Sequence, residues 1–266
     1  MSGVSTVFAD VLKVSLPWRD TPLLGFILNY VFYELPIQFL IMYRKITAWS
    51  VHLFTAVGAI LAFWSLMLIV QGDVRGSLIV LALAAVIDSV DGTLSRRAEV
   101  TKYAPNIDGA LMDNIIDYLT WVFLPVFWAY TFLDVSFLIG SLVLITSLFG
   151  FSNTQAKTDD NFFRGFPSYW NFVVLYLYVL GAGAWVTSAV MLILAILVLV
   201  PIKFVYPSRT EKWQRTTLIL AIPYAAMIAY MLFYLQETPL ALTISSFYYP
   251  LYYLFISVLF TSSVAE

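Results

Sequence analysis

The chain has 266 residues, of which 61% are hydrophobic and 11% charged; a soluble domain carries roughly 25% charged residues. With a mean hydropathy of +0.87, this composition excludes a soluble globular domain and predicts an all-α integral membrane protein. The net charge of −2 supplies no basic field for nucleic acid, and the absence of cysteine excludes disulfides and thiolate metal sites.

Residues 9–18 mix apolar side chains with Asp10, Lys13 and Pro17. No basic n-region or small-residue cleavage site marks this run as a signal peptide. Residues 23–43 are long and apolar but contain Asn29, Glu34 and Pro36. The whole of 1–46 reads as an N-terminal amphipathic, interfacial segment, with an extra transmembrane helix as the alternative. Residues 47–266 read as a transmembrane catalytic domain of about eight spans, each near the ~20 residues a bilayer needs. They fall near 47–70, 75–97, 106–132, 135–156, 168–184, 185–205, 213–235 and 240–262. Short turns join most of them, and two connections are richer in polar residues: AKTDDNFFRGFPS and KFVYPSRTEKWQR.

Charge placement tests this arrangement. If the spans alternate, every one of the 14 Lys and Arg except Arg75 falls on one face. The positive-inside rule makes that face cytoplasmic, with both termini on it. No internal repeat or appended soluble domain is visible.

Within this apolar background the stretch 88–117, DSVDGTLSRRAEVTKYAPNIDGALMDNIID, holds Asp88, Asp91, Asp113 and Asp117. Charge inside a span is expensive and is rarely kept without a partner. Asp88 and Asp91 are three apart and Asp113 and Asp117 four apart, so each pair shares a helix face. A rise of ~1.5 Å per residue puts Asp91 roughly 8 Å deep, Asp88 and Asp113 about 12 Å, and Asp117 about 18 Å. Carboxylates so close ionise together only if cations neutralise them. Arg96 and Arg97 sit on the rim, so hard divalent cations with oxygen ligands fit better: Mg²⁺, Mn²⁺ or Ca²⁺. Gly92 follows Asp91, and Gly109 lies one turn before Asp113. Either is a packing glycine taken alone; beside the acids they read as parts of a pocket.

The pair DSVDGTLSR and GALMDNIID resembles the signature of the CDP-alcohol phosphotransferases, D-x2-D-G-x2-A-R-x8-G-x3-D-x3-D. The match falls on Asp88, Asp91, Gly92, Ser95, Arg96, Gly109, Asp113 and Asp117. Ser95 replaces an alanine. The gap from Arg96 to Gly109 is longer than the usual eight and is similar to that of the bacterial phosphatidylcholine synthases. KITAWSVHLFTAVGAILAF, FFRGFPSYWNFVVLYLY and KFVYPSR also look like that family. The resemblance implies a homodimeric helical bundle of the bacterial inner membrane. It implies metal-dependent transfer of a phosphatidyl group from CDP-diacylglycerol to free choline, with release of CMP. It implies two ions, Mn²⁺ or Mg²⁺, held by Asp88, Asp91, Asp113 and Asp117, with Asp117 also the base. It implies that Gly92, Ser95, Arg96 and Gly109 line the nucleotide and phosphate pocket.

Several residues around this core have two readings. Choline is bound by aromatic faces, and Tyr118, Trp121, Tyr169 and Trp170 are candidates, although each also reads as packing. Lys203, Arg209 and Lys212 read either as lipid-phosphate contacts or as positive-inside anchoring. His52, the sole histidine, reads as interfacial, and Asp108 as an N-terminal helix residue. The same chemistry with serine, inositol or glycerol phosphate as acceptor is the nearest alternative. A cation transporter is remote, because it predicts midplane acids and repeat symmetry.

Overall fold

The computed structural model describes residues 22–155, 162–205 and 213–262. Residues 9–18, together with Lys13, Arg19, Lys157, Arg209 and Lys212, lie outside them. A bilayer core offers no water to unpaired backbone groups, so the spanning segments fold as helices. Five helical runs are long and apolar enough to cross: Tyr30–Val70, Val74–Arg97, Gly109–Phe132, Gln214–Glu237 and Leu240–Leu259.

The first run, preceded by α1 (Pro22–Asn29), is built from a π-helical stretch (Tyr30–Glu34) and α2 (Leu35–Val70). It passes residue 46 without a break. From 22 to 47 no described side chain is buried, and Ala48 is the first that is. The chain then returns as α3 (Val74–Arg97), capped by the Asp73 carboxylate, which accepts from the Gly76 N–H at 2.8 Å. Glu99, at φ 50°, turns it into the short α4 (Val100–Tyr103). Arg44 of α2 meets Glu99 at 3.8 Å, and Ala48, Ala98, Val100 and Ala104 pack beneath the pair.

The third run is α5 (Gly109–Asp117), a π stretch (Tyr118–Phe123) and α6 (Leu124–Phe132). Both π stretches end two residues before a proline, Pro36 and Pro125. A proline in a helix removes one N–H and crowds the carbonyl four residues back. Those carbonyls belong to Phe32 and Trp121, inside the widened turns, which relieve the clash.

Three shorter apolar helices follow: α7 (Phe137–Ser152), α8 (Trp170–Val179) and α9 (Ala184–Leu199). A two-stranded antiparallel sheet joins their ends, with β1 (Phe162–Arg164) paired to β2 (Lys203–Val205) in the register Arg164↔Lys203. The sequence reading carried helix through 205. Instead α9 stops at Leu199, because Pro201 disfavours helical backbone at Val200, which sits at ψ 127°. The chain closes with α10 (Gln214–Tyr234), α11 (Leu240–Ser246) and α12 (Tyr248–Ser262).

Two buried tryptophans tie helices together through their indole N–H groups. Trp128 of α6 is fully buried and donates its indole N–H to the Ser77 hydroxyl of α3 at 3.0 Å. Trp170 of α8 is likewise buried and donates to Ser147 of α7 at 3.0 Å. Each satisfies a polar atom that would otherwise cost about 1–3 kcal/mol to bury unpaired.

Candidate active site

The carboxylates come from two helices, α3 and α5, that both pack against α2. Asp88, Asp91 and Asp113 each offer an oxygen within 4.8 Å of the other two. Asp91 is buried, and Asp88 and Asp113 are half-buried. Three hard oxygen donors converging on one point suit a divalent cation such as Mg²⁺ or Mn²⁺ and offer nothing to a soft metal. Asp117, half-buried and one turn further along α5, is not a member of that group.

A third helix supports the cluster. Thr55 of α2 donates its hydroxyl to Asp91 Oδ2 at 2.9 Å, a buried bond. The sequence reading missed Thr55. His52, read from the sequence as interfacial, is 6% exposed within the bundle. His52, Thr55 and Gly58 are buried on one face of α2, and that three-residue spacing was the available signal. Gly58 has no room for a side chain, since an added Cβ would run into Cγ2 of Ile116. This absence of bulk lets α2 approach α5 between Asp113 and Asp117.

The two signature glycines have different surroundings. A Cβ at Gly109 would stand 3.1 Å from His52 Cε1, so the glycine makes room for that ring. A Cβ at Gly92 would stand 3.4 Å from Nη1 of Arg96, an ordinary contact. The Arg96 guanidinium, exposed at the end of α3, donates to Thr93 Oγ1 at 3.0 Å. Ser95 is half-buried on the same last turn. Asp108 is an N-cap: its carboxylate accepts from the Leu111 N–H at 3.0 Å.

The four aromatic candidates separate. Trp170 is used up in its buried bond to Ser147. Tyr118 donates its hydroxyl to the Leu144 carbonyl at 3.0 Å and meets Phe151 edge-on. Trp121, in the π stretch, donates its indole N–H to Asp88 Oδ2 at 3.3 Å. Tyr169 packs on it at 5.8 Å between ring centroids, and Phe172, which the sequence reading did not single out, at 5.9 Å. An aromatic patch therefore adjoins the acids. Lys203 lies over the Phe162 ring at 5.6 Å in the two-stranded sheet.

No family model matches the chain. Curated relatives do. The phosphatidylcholine synthase of Pseudomonas aeruginosa is 38% identical over 198 residues, 73% of this chain and 82% of the relative. That of Borreliella burgdorferi is 38% identical over 182 residues, 66% of this chain and 77% of the relative. That of Brucella melitensis is 36% identical over 225 residues, 81% of this chain and 82% of the relative. With its span-length helices, its three converging carboxylates and this extent of shared sequence, the chain belongs to the phosphatidylcholine synthase family, a group of bacterial membrane-embedded phosphatidyltransferases.

Proposed function

We propose that this chain makes phosphatidylcholine and CMP from CDP-diacylglycerol and free choline. The observation that carries the reading is the group Asp88, Asp91 and Asp113, three convergent oxygen donors set between apolar helices. Those three side chains would hold a divalent cation, Mn²⁺ or Mg²⁺, and Asp117 would contribute to a second. Metal held there would supply charge neutralisation on the pyrophosphate and on the departing CMP. Gly92, Ser95, Arg96 and Gly109 line the nucleotide and phosphate pocket, with Arg96 at its rim. Asp117 takes the proton from the choline hydroxyl. The hydroxyl oxygen then bonds to the lipid-side phosphorus as the bond from that phosphorus to the CMP oxygen breaks.

Trp121, Tyr169 and Phe172 receive the quaternary ammonium. Their ring faces supply the attraction, and the Trp121 bond to Asp88 places that patch beside the acids. The proposed topology has eight spans, with both termini and the site on the cytoplasmic side of the bacterial inner membrane, and residues 1–46 as an interfacial segment. The distribution of Lys and Arg supports it. The homodimer rests on the family resemblance, and light scattering of the purified protein measures it.

The test of this function incubates purified protein with CDP-diacylglycerol, Mn²⁺ and choline, serine, inositol or glycerol phosphate. CMP release is expected with choline above all others. Release with none of them, or choline as the poorest acceptor, defeats the reading. In the same assay Trp121→Leu raises the KM for choline about tenfold, the scale of one desolvated cation–π contact; an unchanged KM removes the aromatic patch from the acceptor site.

A further inference from the structure

Tyr169 stands in front of α8 rather than inside it, directly after Ser168, whose backbone is left-handed at φ 57°. No helical turn on its N-terminal side holds its ring, so its stance in the acceptor patch depends on the rings around it. Phe166 and Phe172 belong to its own segment, with centroids at 6.4 and 6.2 Å. Tyr253 comes from α12, the last helix, and meets it edge-on at 6.1 Å. Tyr253 is buried, whereas Tyr169 and Trp121 are half-buried. A buried ring thus supports a half-buried one.

Tyr253 is itself anchored. Its hydroxyl donates to the Val205 carbonyl of β2 at 2.8 Å, and its ring stacks on Phe204 at 6.1 Å with 24° between the planes. One turn along α12, Ser257 accepts from the Val205 N–H at 3.2 Å and donates to the Tyr253 carbonyl at 2.7 Å. Both backbone polar groups of Val205 are therefore met by one helix face, as buried backbone requires. Tyr169 and Phe166 pack against the buried cluster that Tyr253 forms with Phe162, Phe204 and Ile256. The sheet, α12 and the turn before α8 are one packed unit. Through Tyr169 this unit ends on Trp121, whose indole N–H reaches Asp88. A chain of contacts thus runs from the last helix to the carboxylates, although that helix contains no residue of the signature.

We propose that Tyr253 is a positioning residue for the quaternary ammonium of the acceptor, acting through the Tyr169 ring. The hydroxyl fixes the Tyr253 ring against β2, and that ring fixes how Tyr169 is presented to the cation. The last helix thereby takes part in choosing the acceptor. The inference rests on the reading of Trp121, Tyr169 and Phe172 as the acceptor patch.

The test compares KM for choline and KM for CDP-diacylglycerol in purified Tyr253→Leu, Tyr253→Phe and Tyr169→Leu, and in the double leucine variant. Tyr253→Leu should raise the choline KM about fivefold, the scale of one aromatic pair, with the donor KM level. Tyr253→Phe, which keeps the ring, should recover most of the loss. The Tyr253→Leu change should add little in the Tyr169→Leu background, because residues that act through one another are not additive. KM does not depend on the folded fraction of a preparation, so lost stability alone does not mimic this pattern. With Tyr169→Leu itself raising the choline KM, any of four results overturns the inference alone: a choline KM unmoved by Tyr253→Leu, a donor KM that rises as much, a phenylalanine variant as poor as the leucine one, or full additivity in the double variant. A choline KM unchanged by Tyr169→Leu overturns the reading of the patch, and this inference with it.

Discussion

At the scale of single residues, the site depends on how a buried carboxylate is held. Asp91 sits among apolar neighbours, and the 2.9 Å bond from Thr55 fixes which of its oxygens faces the cluster. A partner of this kind orients a ligand rather than binding the ion, and its loss typically weakens metal affinity 10–100-fold. Thr55→Val keeps the shape and removes the hydroxyl. The Mn²⁺ concentration for half-maximal activity should rise about tenfold, with activity recovered at high Mn²⁺, and Thr55→Ser should restore the native value. A metal titration unchanged in the valine variant would mean that Asp91 is positioned by packing alone. Thr55 was not legible in the sequence because the bond links residues 36 apart. It exists only once α2 and α3 have packed. The acids themselves were legible, since spacings of three and four residues set a helix face locally, whatever the helix later packs against.

At the scale of elements, the site is a matter of how near α2 comes to α5. Gly58 faces Ile116, which lies between Asp113 and Asp117 in the chain, and a methyl group there has no space. Overpacking of a formed interface costs about 1–3 kcal/mol. Gly58→Ala should therefore lower the thermal midpoint in detergent and reduce turnover together. The double variant Gly58→Ala with Ile116→Ala should regain much of both, because the second change removes the atom that the first one strikes. A double variant no better than the single one would show that the two helices are held apart by something else. Periodicity can place Gly58 on a helix but not opposite a named partner, which is why the sequence offered no reason for it. The β1–β2 pairing escaped for the same cause. Strands of three residues carry almost no periodic signal, and their partners are separated by two helices. The widened turn after Asp117 had a local signal in Pro125, whose ring crowds the Trp121 carbonyl. Its consequence, that Trp121 meets Asp88, again needed the packed helices.

At the scale of the molecule, placement of charge decides which way the bundle sits in the membrane. If eight spans alternate in direction, all basic residues except Arg75 gather at one end of them. Helix length alone yields five spans, because α7, α8 and α9 are each shorter than 18 residues. A helix of 16 residues rises about 24 Å, less than the ~30 Å hydrocarbon core, so such a span needs local bilayer thinning or its flanking residues at the interface. Counting those three as spans keeps the basic residues on one side. Omitting a single one would reverse everything after it and leave Lys203 and Arg215 opposite Arg96 and Arg97. The chain has no cysteine, so one introduced thiol reports its own side without background. Gln71→Cys and Glu237→Cys, in exposed turns at the sparsely charged end, should react in intact cells with a thiol reagent that cannot cross the inner membrane. Lys102→Cys and Gln155→Cys should react only after the membrane is opened. Gln71 and Glu237 labelling on opposite sides would show an odd number of crossings between them, with one of the three short helices not spanning, and the cytoplasmic placement of the later basic connections would fall with it. Both pairs behaving as expected would place Arg96, the start of α5 and the mouth of the carboxylate site on the side where CDP-linked lipids present their nucleotide.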